Sequence, residues 1–211
     1  MTSYQENHDL LKICTLAPVI PVLVVDETSK AVPLAKALIT GGLKVLEVTL
    51  RTDNALAVIK EMVNSNAEGI IGAGTLLSEK DVYAAKKAGA KFGVSPGATE
   101  QILRACAEVS LPLLPGAATP SEVMSLLSKG YSVQKFFPAE SNGGVKALKS
   151  ILSHNENSLP VVGDPNTGIS CVVIADVFAV FASSIIPEYD PKWKNALPDP
   201  DSLKCLNLTA I

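Results

Sequence analysis

Cysteine is sparse in this 211-residue chain and histidine almost absent. The four cysteines, Cys14, Cys106, Cys171 and Cys205, lie far apart without a C-x-x-C pair, which speaks against both a disulfide framework and a zinc cluster. Reduced thiols in a cytoplasmic protein are the plain expectation. The two histidines, His8 in a polar leader and His154 in a polar loop, support neither an imidazole base nor a metal site, so no metal is expected. A basic block is also lacking. The 18 Lys+Arg are scattered among 21 Asp+Glu for a net charge of -3, and no nucleic-acid partner is expected. Residues 1–12 lack the basic and apolar regions of a signal peptide, which disfavours secretion. The longest apolar stretch, Cys171–Ile186, is broken by Asp176 and falls short of the roughly 20 residues of a membrane span. It reads as buried core.

What is present is the material of a folded domain. With 47% hydrophobic and 18% charged residues, the chain can bury a sizeable core, and a single domain over residues 1–211 is expected. Short β-branched runs recur at Val19–Val25, Lys44–Leu50, Gly69–Gly72, Lys91–Val94, Pro112–Leu114, Ser132–Phe137, Pro160–Gly163 and Val177–Phe181. Between the early runs the pattern predicts helices over Lys30–Thr40, Asn54–Asn64, Ser78–Ala88, Thr99–Glu108 and Pro120–Lys129, with Asp53, Ser78 and Thr119 as starts.

Strands alternating with crossovers too long for hairpins imply parallel pairing and an α/β fold. Eight units predict a single (β/α)8 TIM barrel, close to the short end of its size range. A doubly wound sheet would show G-x-G-x-x-G after the first strand, but that strand runs into Asp26-Glu27-Thr28. Gly72-Ala73-Gly74 is a fragment of that motif, explained as well by a tight strand exit. After Gly168-Ile169 too few residues precede the next apolar run for a full helix, and an irregular ending is expected from Pro187 onward.

Barrel enzymes carry their reacting groups at the C-terminal ends of the strands, so polar outliers within strands matter there. Period two along Lys44–Arg51 sends Leu46, Val48 and Leu50 to one face and Val45, Glu47, Thr49 and Arg51 to the other. Along Ser132–Pro138 it groups Val133, Lys135 and Phe137. A carboxylate and an ammonium thus point inward, where each needs a partner or a task. A desolvated lysine amine sheds its proton more readily and attacks carbonyls, which makes Lys135 the candidate nucleophile for a Schiff base. Glu47 suits proton shuttling, and Arg51 a substrate carboxylate or phosphate. The competing account is a structural ion pair with Arg51 as solvent fringe, and spacing alone does not separate the two. Thr75 and Thr119 follow strands and offer hydroxyls, with helix capping the better account of Thr119. Pro96 and Gly97 shape a loop, and Lys146 and Lys149 are expected to be solvated.

Five segments in order, Glu47–Thr52, Gly72–Thr75, Val94–Gly97, Pro115–Val123 and Lys135–Glu140, together resemble the 2-keto-3-deoxy-6-phosphogluconate (KDPG) aldolases, of the bifunctional type that also accepts 4-hydroxy-2-oxoglutarate (KHG). The resemblance covers about Ile20 to Leu152. It implies Lys135 as the Schiff-base lysine, Glu47 as general acid and base, and Arg51, Thr75 and Pro96 around the pyruvate portion of the substrate; Phe137, on the same strand face as Lys135, is a further candidate substrate contact. Carried further, it implies cleavage to pyruvate and glyceraldehyde 3-phosphate in the Entner–Doudoroff pathway, no cofactor, no membrane partner and a homotrimer. Where the family has Pro-Thr-Gly-Gly-Ile this chain reads Pro165-Asn166-Thr167-Gly168-Ile169, and the family's Gly-Gly-Ser-Trp resembles Phe181-Ala182-Ser183-Ser184. Thr167 and Ser183 are therefore the candidate contacts toward the phosphate, in a region that has lost glycines whose N–H groups approach such a group. Three readings stand at this point: a KDPG aldolase, an aldolase favouring non-phosphorylated 4-hydroxy-2-oxo acids, and a barrel that binds an oxo acid or serves structurally without turnover.

Overall fold

The computed structural model describes residues 9–14, 16, 19–65, 68–152, 159–162 and 171–174. A short helix α1 (9–14) precedes β1 (Val19–Leu23), and strands then alternate with helices: α2 (Thr28–Thr40), β2 (Val45–Thr49), α3 (Ala55–Asn64), β3 (Ile70–Gly74), α4 (Glu79–Ala88), β4 (Gly93–Val94) and α5 (Glu100–Glu108). There follow β5 (Leu113–Leu114), β6 (Gly116–Ala117), α6 (Pro120–Ser128), β7 (Val133–Phe136), α7 (Gly144–Leu152), β8 (Leu159–Val162) and β9 (Cys171–Ile174). Helix starts follow from short polar side chains. Ser78 and Thr99 accept hydrogen bonds from the backbone N–H three residues on, and Thr119 forms a capping box with Glu122. Asp53 does not cap α3: Asn54 stands at that position in a helical conformation and makes no side-chain cap.

Among the described residues the nine strands belong to one sheet, in the order β5-β4-β3-β2-β1-β9-β8-β7-β6. Pairing is parallel from β1 to β5 and from β6 to β8, as expected for an α/β fold. The sheet's two ends are consecutive pieces of chain separated by Pro115, which has no N–H to donate and so interrupts the ladder. Its carbonyl accepts a 2.8 Å hydrogen bond from the Lys135 N–H.

Uniform parallel pairing fails at β9, which runs antiparallel to both β1 and β8. Only residues 163–170 join β8 to β9, short of the dozen or so that a parallel crossover needs. The strand expected at Val177–Phe181 and the irregular ending from Pro187 lie outside the described residues.

The alternation within strands sorts side chains into two cores. Leu46, Val48, Ile71, Ala73 and Phe136 pack outward against Val58, Ile59, Val82, Ile102, Val123 and other helix residues. On the inner face Ile20, Val45, Phe92, Val94, Leu114 and Val133 pack with Leu10, Ile13 and Cys14 of α1. Val45 and Val133 open their strands, so α1 seats against the N-terminal ends of the sheet. The inner face two residues further along β2 and β7 is where the charged groups stand.

Candidate active site

Glu47 and Lys135 each occupy the third position of their strand, β2 and β7, on the same face as Val45 and Val133. Both are buried, Glu47 at 1% exposure and Lys135 at 7%. The Lys135 Nζ lies 3.9 Å from Glu47 Oε1, an ion-pair contact too long for a good hydrogen bond. It also stands 4.9 Å from the centre of the half-buried Phe137 ring, a cation–π contact. The amine thus faces both a carboxylate and an aromatic ring.

Burial pushes the Glu47 carboxyl above its ordinary value, and the attraction of Lys135 and Arg51 offsets this only in part. Among the described residues its Oε2 has no hydrogen-bond partner. A buried carboxyl oxygen left unpaired is costly in a structural role and useful in one that exchanges protons.

Two glycines of β3 make room on this face. A Cβ on Gly72 would strike the Phe92 ring, and one on Gly74 would fall 2.1 Å from Glu47 Oε1. Close packing, not a tight strand exit, explains the Gly72-Ala73-Gly74 pair, since neither glycine has a positive φ. Spacing alone missed Gly74; the available signal was that β2 and β3 are consecutive parallel strands, which puts its backbone beside Glu47.

The remaining candidates line the rim. Arg51 follows β2, is exposed, and acts on Glu47 through its charge. Among the described residues it makes no ion pair. Thr75 follows β3 with φ 61, a left-handed conformation that is strained for a β-branched residue. Pro96 follows β4, and Gly116 admits its backbone: a Cβ there would lie 2.1 Å from the Pro96 carbonyl oxygen. Next to it Ser95 is fully buried, with a hydroxyl unpartnered among the described residues. No hydrogen bond among the described residues joins Thr75 or Pro96 to Glu47 or Lys135. Thr119 is committed to its cap, donating to Glu122 Oε2 at 2.9 Å and accepting from the Glu122 N–H at 3.3 Å. Lys146 and Lys149 are exposed. Thr167, Ser183, His8 and His154 lie outside the described residues. Cys14 is a buried thiol outside any disulfide, and burial pushes it up to about 12, away from thiolate chemistry.

A family model described as KDPG and KHG aldolase matches residues 10–185. The chain belongs to the KDPG and KHG aldolase family. Among its relatives, the KHG/KDPG aldolase of Escherichia coli is 50% identical over 139 residues, which make up 66% of this chain and 65% of that one. The match therefore spans slightly less than two thirds of that relative's length. The KDPG aldolase of Zymomonas mobilis, solved with 3-phosphoglycerate, superposes with a TM-score of 0.73 at 42% identity over 77% of each chain. The Legionella pneumophila KDPG aldolase, with pyruvate captured as a covalent carbinolamine intermediate, gives a TM-score of 0.68 at 41% identity, over 70% of this chain and 72% of that one. Among the described residues of this aldolase-family chain, no helix is long and apolar enough to cross a membrane.

Proposed function

We propose that the chain is a class I aldolase that cleaves KDPG to pyruvate and glyceraldehyde 3-phosphate through a Schiff base on Lys135. The observation that carries this reading is the buried Lys135 amine 3.9 Å from a Glu47 carboxyl raised by burial. The amine attacks the C2 ketone to give a carbinolamine, and Glu47 in its acid form protonates the departing hydroxyl, which leaves as water. In the resulting iminium, Glu47 as carboxylate takes the proton of the C4 hydroxyl while the bond between C3 and C4 breaks. The bonding electrons pass to the iminium nitrogen, leaving an enamine of pyruvate and the free aldehyde. Protonation of the enamine at C3 and hydrolysis release pyruvate and restore the amine.

A carboxyl whose proton affinity is raised above its ordinary value by burial serves in both directions of this transfer. Arg51 takes the substrate carboxylate, Thr75 and Pro96 flank the pyruvate portion, and the Phe137 ring faces the amine. Thr167 and Ser183 approach the phosphate. The reading includes a closed (β/α)8 barrel formed by residues 1–211, a homotrimer, a cytoplasmic setting and no cofactor. The meeting of the two sheet ends at Pro115 supports closure.

The altered sequences Pro165–Ile169 and Phe181–Ser184 favour a second reading, in which the same chemistry prefers non-phosphorylated 4-hydroxy-2-oxo acids. Steady-state cleavage of KDPG and KHG separates the two. A higher kcat/KM for KDPG supports the first, a higher one for KHG the second, and no turnover of either by folded protein overturns both.

A further inference from the structure

We infer that Gly74 is a positioning residue for this reaction, its absent side chain forming the seat that holds the Glu47 carboxyl against Lys135. The inference rests on the aldolase reading and assigns a part to a residue outside the proton-transfer pair. Glu47 lies opposite Gly72 in the ladder between β2 and β3, and Thr49 lies opposite Gly74. The Glu47 side chain therefore reaches diagonally along the inner face and rests over Gly74. A Cβ at residue 74 would stand 2.1 Å from Oε1 and 2.8 Å from both Cδ and Cγ, so the whole outer half of the side chain occupies that space.

The atoms in the way belong to a flexible side chain and not to backbone, so an added methyl displaces Glu47 and leaves the strand in place. The side chain has few places to go. It is 1% exposed, its strand is buried throughout, and Lys135 faces it from β7. Restoring ordinary contact moves the carboxyl by roughly 1 Å, a misplacement of the size that costs up to about 100-fold in a positioned reaction. The charged groups facing Glu47 are Lys135 on β7 and Arg51 beyond β2; β1 and β3 bring no titratable side chain.

The experiment compares wild type, Gly74→Ala, Glu47→Ala and the double variant for KDPG turnover across pH, with trapping of the pyruvate adduct by borohydride. Gly74→Ala is expected to lower kcat by roughly 10–100-fold with KM changed far less, and to move the pH limb that disappears in Glu47→Ala. Its pyruvate adduct still forms at Lys135. In the Glu47→Ala background the same glycine change costs no further rate, because the side chain it displaces is gone. Wild-type kcat and pH profile in Gly74→Ala, or an equal loss in both backgrounds, would overturn the inference. If Gly74→Ala does not fold, a folded double variant supports the contact and an unfolded one overturns it. Failure of the wild-type enzyme itself to form the adduct is a different result, and it removes the aldolase reading on which the inference stands.

Discussion

Under the proposed mechanism Glu47 ties stability to activity through one proton. Burial raises its native pKa above the ordinary 4.5, so the native state holds a proton that the unfolded chain releases at lower pH. Between the ordinary and the raised value the native state binds more protons, and its stability falls as pH rises through that window. Glu47→Gln cannot ionise and lacks this slope. Thermal unfolding from about pH 4 to pH 8 is therefore expected to show the glutamine variant gaining on wild type as pH rises, while kcat drops by about 10²–10⁴-fold. Parallel stability profiles would contradict the assignment. Arg51 pulls the same carboxyl downward, so Arg51→Met is expected to move the Glu47 limb of the pH–rate profile to higher pH. If Arg51 takes the substrate carboxylate as proposed, the same variant is expected to raise KM by roughly 10–100-fold, the scale of one charged hydrogen bond. At this scale the sequence was legible where period two applied: Val133, Lys135 and Phe137 share a face, as do Val45 and Glu47. Gly74 was not legible, because its reason lies in a side chain on the neighbouring strand.

Caps and connections decide the elements. Ser78, Thr99 and Thr119 start their helices by accepting backbone N–H bonds, which a short polar side chain before an apolar pattern foretells. Asp53 satisfied the same pattern and failed, since the turn carries the chain one residue further and the Thr52 hydroxyl and Asn54 amide instead donate to the Val25 and Asp26 carbonyls. In the Thr119 box the Glu122 carboxylate accepts from the Ala118 and Thr119 N–H groups, which holds it below the usual carboxylate value. Thr119→Ala is expected to lower unfolding free energy in urea by about 1 kcal/mol, with kcat on KDPG unchanged. A selective loss of kcat would instead give that hydroxyl a part in the site. β9 itself escaped the reading of apolar runs, which put the last strand at Val177–Phe181, and its direction is carried only by the shortness of 163–170.

For the whole molecule, the two faces of the sheet divide the labour. The outer face joins the helices, and the inner face passes from an apolar end closed by α1 to the end where Glu47 and Lys135 meet. The strand–helix alternation made this architecture legible, whereas α1 read only as polar leader because its apolar positions, Leu10, Ile13 and Cys14, span a single turn. Leu10 is 1% exposed, and Leu10→Ala is expected to cost about 2–5 kcal/mol in denaturant unfolding. Activity per folded molecule is preserved if α1 only supports the inner core. A destabilisation below about 0.5 kcal/mol would show that α1 does not seat there. The central claim is that this inner face makes Lys135 a nucleophile. Its most direct test is intact-protein mass spectrometry after pyruvate and borohydride, with peptide mapping and Lys135→Ala as control. One reduced pyruvate adduct per chain, mapped to Lys135 and missing from the variant, is the predicted result. A folded wild-type protein without an adduct, or an adduct that persists in Lys135→Ala, would contradict it.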